Sequence, residues 1–128
     1  YVGDDRMIHT TSRHGVVVGR VPKKVFDRQR YAVYRVPGLS AAQRARIVEH
    51  ATEQLDRRID HVAMASNIPG RWLGLPRPLV RAREGRLWCS RLIAEAYHVG
   101  AGVDLVPDRP DETVVSEDLE KSPVVERV

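Results

Sequence analysis

The spacing of apolar residues changes period along the chain, and the changes mark its elements. The first third alternates in the manner of β structure. Arg6 to Thr10 predicts a short strand after a turn at Gly3-Asp4-Asp5, since glycine and aspartate tolerate turn backbones. Gly15 to Arg20 predicts a second strand, with Val16, Val17 and Val18 β-branched in succession. Arg30 to Val36 alternates again until Pro37-Gly38 stops it.

From Ser40 the period lengthens. Ile47, Ala51, Leu55 and Ile59 recur at steps of four, and Ala45, Val48 and Thr52 widen that face. Arg44, Arg46, Glu49, Glu53, Asp56 and Arg57 fall opposite, which predicts an amphipathic helix of about five turns laid on a sheet. Ser40 followed three residues later by Gln43 supplies a capping box at its start. Residues 66–86 hold three prolines, three glycines and several arginines, which predicts a long loop. Trp88 to Val99 predicts a second helix, with Leu92, Ile93, Ala96 and Val99 on one face and Gly100 and Gly102 ending it. A short strand at Thr113–Val115, a helical turn from Ser116 and a tail from Pro123 to Val128 complete the reading.

Composition narrows the class. The 128 residues suffice for one domain with one core, and 42% hydrophobic with 30% charged residues is ordinary for a globular protein. No apolar run approaches the ~18 residues of a membrane-spanning helix, and no signal-peptide pattern is present. Net charge is +4, with arginine supplying 18 of the 21 basic residues. The charge is uneven: Arg71 to Arg91 holds six arginines against Glu84, while Asp104 to Glu120 holds seven acids against Arg109. Aromatic content of 5% provides few stacking platforms, which argues against a nucleic-acid partner.

One cysteine excludes an intrachain disulfide and a cysteine-rich zinc site. Cys89 opens the second predicted helix. Unpaired backbone N–H groups and the helix dipole favour an anion there, and Arg86 and Arg91 add positive charge nearby. A cysteine nucleophile needs a histidine to take its proton and a polar group to orient that histidine. Of the five histidines, His50 is expected on the polar side of the first helix and His14 in an exposed turn. His61 follows the first helix, and His98 lies nine residues after Cys89, where it suits the helix C-terminus. His9 lies on a strand, opposite Ile8 in the alternation, and a strand presents a side chain rigidly. A half-buried strand histidine bonded to backbone is the plainer alternative.

Three segments, in order, carry a family resemblance. Tyr1-Val2-Gly3-Asp4-Asp5-Arg6-Met7-Ile8-His9 resembles the Gly-Asp hairpin of the permuted, NlpC-like branch of the papain-like superfamily. That branch includes the YiiX/YaeF-type enzymes and the lecithin:retinol acyltransferase-like proteins. Trp88-Cys89-Ser90-Arg91-Leu92-Ile93-Ala94-Glu95-Ala96-Tyr97 resembles its nucleophile helix. Val115-Ser116-Glu117-Asp118-Leu119 with Ser122-Pro123 resembles its closing element, and Asp60 stands where relatives carry a Tyr-Asp pair.

The resemblance implies an α+β, papain-like fold, with an antiparallel sheet packed against the nucleophile helix and a second long helix. The chain, residues 1–128, would be a single domain. It implies Cys89 as nucleophile and His9 as the polar residue that orients the base. Trp88, Ser90 and Arg86, beside the thiol in sequence, are candidate substrate contacts. The family's base histidine is expected just upstream of Tyr1, which predicts an N-terminally truncated domain or a degenerate one. Arg91 departs from the glutamate that bacterial relatives often carry.

The implied reaction is acyl transfer through a Cys89 thioester, as an amidase, peptidase, esterase or acyltransferase, with no cofactor and no metal. The substrate would be a small molecule, peptide or lipid, in a bacterial cytoplasm or cell envelope. Two other functions compete with catalysis. One is an inactive papain-like module that binds an acyl or peptide ligand. The other is a membrane-surface partner anchored by Trp72, Leu73 and Leu75 within the arginine-rich loop.

Overall fold

The computed structural model describes residues 1–23, 32–59, 61–62, 65, 73–74 and 86–128. Most of the expected 66–86 loop, with Trp72, Leu75 and its arginines up to Arg83, lies outside the described residues, as do Asp60 and the first part of the expected 30–36 strand.

The chain opens on the turn that the sequence indicates, with Asp4 and Asp5 both in the left-handed region that aspartate tolerates better than most residues. An antiparallel hairpin follows. Strand β1 (Arg6–Thr11) pairs with β2 (Gly15–Arg20) in a register that sets Ile8 against Val18 and His9 against Val17. Alternation divides the hairpin into two faces. Ile8 and Val16 share the inner face: Val16 is fully buried with Leu87 and Leu92, and Ile8 packs against that cluster. Met7, His9, Val17 and Gly19 share the other face.

Val16 also fastens the hairpin to the rest of the chain. Its N–H donates to Arg57 O at 2.9 Å, and its carbonyl accepts from Asp56 N–H at 3.0 Å. Those bonds lead into β4 (Arg58–Ile59), which runs parallel to β5 (Arg86–Leu87). Between β2 and β4 the backbones come so close at Gly15 that a Cβ there would overlap the Arg57 carbonyl. The remaining strands, β3 (Tyr34–Arg35) and β6 (Glu126–Arg127), form an exposed antiparallel pair with an Arg35–Glu126 ion pair at 2.6 Å. The molecule is therefore α+β with short ladders, two antiparallel and one parallel, among the described residues.

Helix α1 (Ala41–Glu53) begins at the capping box read from the sequence: Ser40 Oγ accepts from Gln43 N–H at 3.1 Å, and Gln43 Oε1 accepts from Ser40 N–H at 3.0 Å. It is shorter than the apolar periodicity suggests. Asp56 takes a left-handed backbone, the chain turns, and Ile59 joins a strand in place of a fifth helical turn. The backbone bonds at Val16 compete with the helix there and prevail.

Helix α2 (Cys89–Ala101) runs two residues beyond Val99 and ends at Gly102, whose left-handed backbone lets its N–H reach His98 O. Gly100 does not terminate the helix. It sits in the last turn against α1, where an added Cβ would stand 2.6 Å from the Ile47 Cα and N. Gln43 and Arg46 of α1 donate to the carbonyls of Ala101 and Gly100, at 3.3 and 3.0 Å. The two helices thus approach closely at this end, and α1 satisfies carbonyls that a helix C-terminus leaves open.

Beyond α2 the chain forms a 3-10 turn (Asp111–Thr113) where a short strand was expected, and then helix α3 (Ser116–Glu120). Val114 and Val115 are extended but pair with no strand among the described residues; Asp118 accepts from Val115 N–H at 3.0 Å and draws the segment into the start of α3. Among the described residues no helix is long and apolar enough to cross a membrane.

Replacing Gly100 tests the helix contact. In an open helical site Gly→Ala stabilises by about 1 kcal/mol. Here Gly100→Ala is expected to destabilise by about 1–3 kcal/mol, because the methyl meets backbone that cannot step aside. Chemical denaturation of the variant checks the sign; a gain in stability would refute the close packing of α1 on α2.

Candidate active site

Cys89 is the first residue of α2 and its side chain is exposed. Two short elements bring it there. Leu87, fully buried at the end of β5, anchors the entry, and Leu92 one turn into the helix joins the same cluster. The residues on either side of Cys89 are buried, Trp88 at 4% and Ser90 at 2% exposure. Both donate to one acceptor. Trp88 Nε1–H reaches Val114 O at 2.9 Å, and the Ser90 hydroxyl reaches it at 2.7 Å. The polar atoms of these two candidate substrate contacts are therefore directed into the protein. Arg86 contributes backbone to β5, and its side chain lies outside the described residues.

Trp88 is also the N-cap of α2, and its side chain makes no capping hydrogen bond. An indole has a donor but no acceptor, so it cannot satisfy the N–H groups of the first turn. Arg91 pairs with Glu95 at 2.5 Å, one turn further along. The charge that the sequence places beside Cys89 thus has an acidic neighbour on the same helix.

His9 is half-buried on the hairpin face opposite Ile8 and Val16. Its ring lies across Gly19: a Cβ on that glycine would come within 2.7 Å of His9 Nε2. Among the described residues no hydrogen bond joins His9 to Cys89. The structure brings Trp88, Cys89 and Ser90 together and sets His9 on the hairpin face opposite Ile8 and Val16.

The other histidines have local partners or none. His50 faces Glu53 at 3.7 Å from a partly covered position, in place of the expected solvated one. His61 lies 3.3 Å from Ser12 O, a contact that its sequence position does not foretell, and His14 is exposed in the hairpin turn. His98, in the last turn of α2, bonds to Asp111 of the 3-10 turn at 2.9 Å. Among the described residues no group of three or more histidine, cysteine or acidic side chains converges as metal ligands do.

An open groove of about 120 Å³ runs between α1, α2 and the hairpin. Ile8, Ile47, Ala51, Leu92, Ile93 and Ala96 line its apolar wall. Tyr97 borders it, and burial raises the phenol's pKa above its ordinary value. Leu92 and Ile93 lie one turn from Cys89 and Ala96 lies two turns away, so the groove follows the helix stripe that Cys89 begins.

No family model, curated protein or solved structure matches the chain.

The His98–Asp111 contact generates a pH prediction. The hydrogen bond to Asp111, and then the negative charge of Asp111 and of Asp104, raise the His98 pKa above its ordinary value. A histidine bound more tightly when protonated stabilises the fold fully below its unfolded pKa, about 6.5. That contribution is lost as pH rises through the raised folded value. Asp111→Asn should lower the His98 midpoint in an NMR titration. It should also reduce stability at pH 6 while leaving stability at pH 9 unchanged. An unshifted His98 midpoint would show that the pair does not form in solution.

Proposed function

We propose that this chain is a cysteine hydrolase of the papain-like type, cleaving an amide or ester through a thioester on Cys89. The observation that carries the reading is the exposed thiol at the first position of a 13-residue helix whose cap residue, Trp88, makes no side-chain capping bond. The ordered resemblance of the three segments around His9, Cys89 and Asp118 supports it. The Cys89 thiol gives up its proton and the thiolate attacks the substrate carbonyl; the leaving amine or alcohol departs with that proton, and water then cleaves the thioester to release the acid and restore the thiol. N–H groups at the start of α2 are suited to the oxyanion that forms at each attack. The apolar groove beside the same helix stripe suits a substrate with a hydrophobic acyl or side-chain portion.

One observation favours a second reading. The His9 ring lies over Gly19, on the hairpin face turned from the core that α2 packs against. Among the described residues no histidine bonds to Cys89, and a thiol so placed is suited to a module that binds an acyl or peptide ligand without turning it over.

Intact-mass analysis after mixing with p-nitrophenyl acetate, butyrate and octanoate decides between them. The hydrolase reading expects one acyl group per chain, mapped to the Cys89 peptide, and none on Cys89→Ala. A chain that never acylates at Cys89, yet binds octanoate by calorimetry, would sink the hydrolase and leave the binding module.

A further inference from the structure

We propose that the backbone carbonyl of Val114 is the positioning acceptor for the Cys89 turn, with Ser90 and Trp88 as positioning residues. This rests on the reading of Cys89 as nucleophile and adds how its direction is fixed.

A carbonyl oxygen has two lone pairs, and at Val114 two donors use them, one from each side of Cys89. Val114 is fully buried, so water does not compete for the oxygen. The indole lies before the helix and the hydroxyl inside its first turn. Pinned at both points to one atom, the Cα–Cβ bond of Cys89 has little freedom to rotate with the turn. The two inward polar groups and the outward thiol alternate along three consecutive residues.

The acceptor is itself held in place. Val114 N–H donates to Asp111 O at 3.3 Å, closing the 3-10 turn. Asp118, buried at 7% exposure, accepts from Val115 N–H and faces Arg109 at 3.8 Å. Asp111 is tied to α2 again through His98. The segment from Asp111 to Asp118 thus touches the nucleophile helix at its first turn and its last. This explains why Val114, 26 positions after Trp88 and 24 after Ser90, matters to the geometry of Cys89, and it gives the resemblance around Asp118 a physical role.

The test is the rate constant for alkylation of Cys89 by iodoacetamide at one pH, on the folded chain, with thermal midpoints measured in parallel. Ser90→Ala and Trp88→Phe each remove one donor and leave Val114 one partner. Each is expected to slow alkylation by about threefold to tenfold, the size of one net hydrogen bond. Ser90→Thr, which keeps the hydroxyl, is expected to restore the rate. A purely structural role predicts a lower thermal midpoint with alkylation of the native chain unchanged, and that result would overturn the proposal. So would a Ser90→Thr rate as low as that of Ser90→Ala. If Ser90→Ala does not fold, Trp88→Phe, which preserves an aromatic ring, decides. Alkylation requires no turnover, so a chain that fails to acylate with p-nitrophenyl esters still answers this question separately.

Discussion

The position of Cys89 depends on Val16. Its side chain is fully buried with Leu87 and Leu92, and its two backbone groups bond to the chain at Asp56 and Arg57. Through these contacts one residue of the hairpin sets the line of β4, hence of β5, hence of the β5–α2 junction where the thiol emerges. Burying a side chain of this size contributes on the order of 1.5–3 kcal/mol. The paired backbone groups avoid the further cost of leaving a buried N–H and C=O without partners. A polar or shortened side chain at Val16 would therefore disturb the hairpin, the parallel ladder and the helix entry together. The absence of a Cβ at Gly15 is part of the same arrangement, because it lets the Arg57 carbonyl approach.

The sequence made the local features legible where a short-range rule decided them. The Ser40–Gln43 capping box, the β1–β2 hairpin and the start of α2 all follow from residues a few positions apart. It misled where a long-range contact overrode periodicity. Ile59 continues the apolar stripe of α1, yet it pairs with β5 because Val16 captures the preceding backbone. Gly100 reads as a helix stop, yet it is helical because Ile47 of a different helix needs the space. Thr113 to Val115 has β-branched character, yet its polar groups serve Pro110, Asp118, Trp88 and Ser90. Of the candidate site, Cys89 was legible because helix termini have sequence signatures. The shared acceptor at Val114 was not, since a backbone carbonyl carries no residue identity.

The two long helices begin in opposite ways, and the contrast bears on function. Both run 13 residues. The start of α1 carries its own capping box, in which Ser40 Oγ accepts from Gln43 N–H and Gln43 Oε1 accepts from Ser40 N–H. The start of α2 has an indole at the cap and no side-chain acceptor. Such a substitution for serine costs about 1 kcal/mol of helix stability. Burial of Trp88 and the two bonds to Val114 offset that loss from outside the helix. A helix that relies on tertiary contacts at the end where it displays a thiol departs from local optimisation, and such departures are expected at functional sites. The cap of α2 makes no side-chain bond while Trp88 and Ser90 are both held by Val114, and an exposed thiol between two fixed neighbours is suited to the proposed acyl transfer.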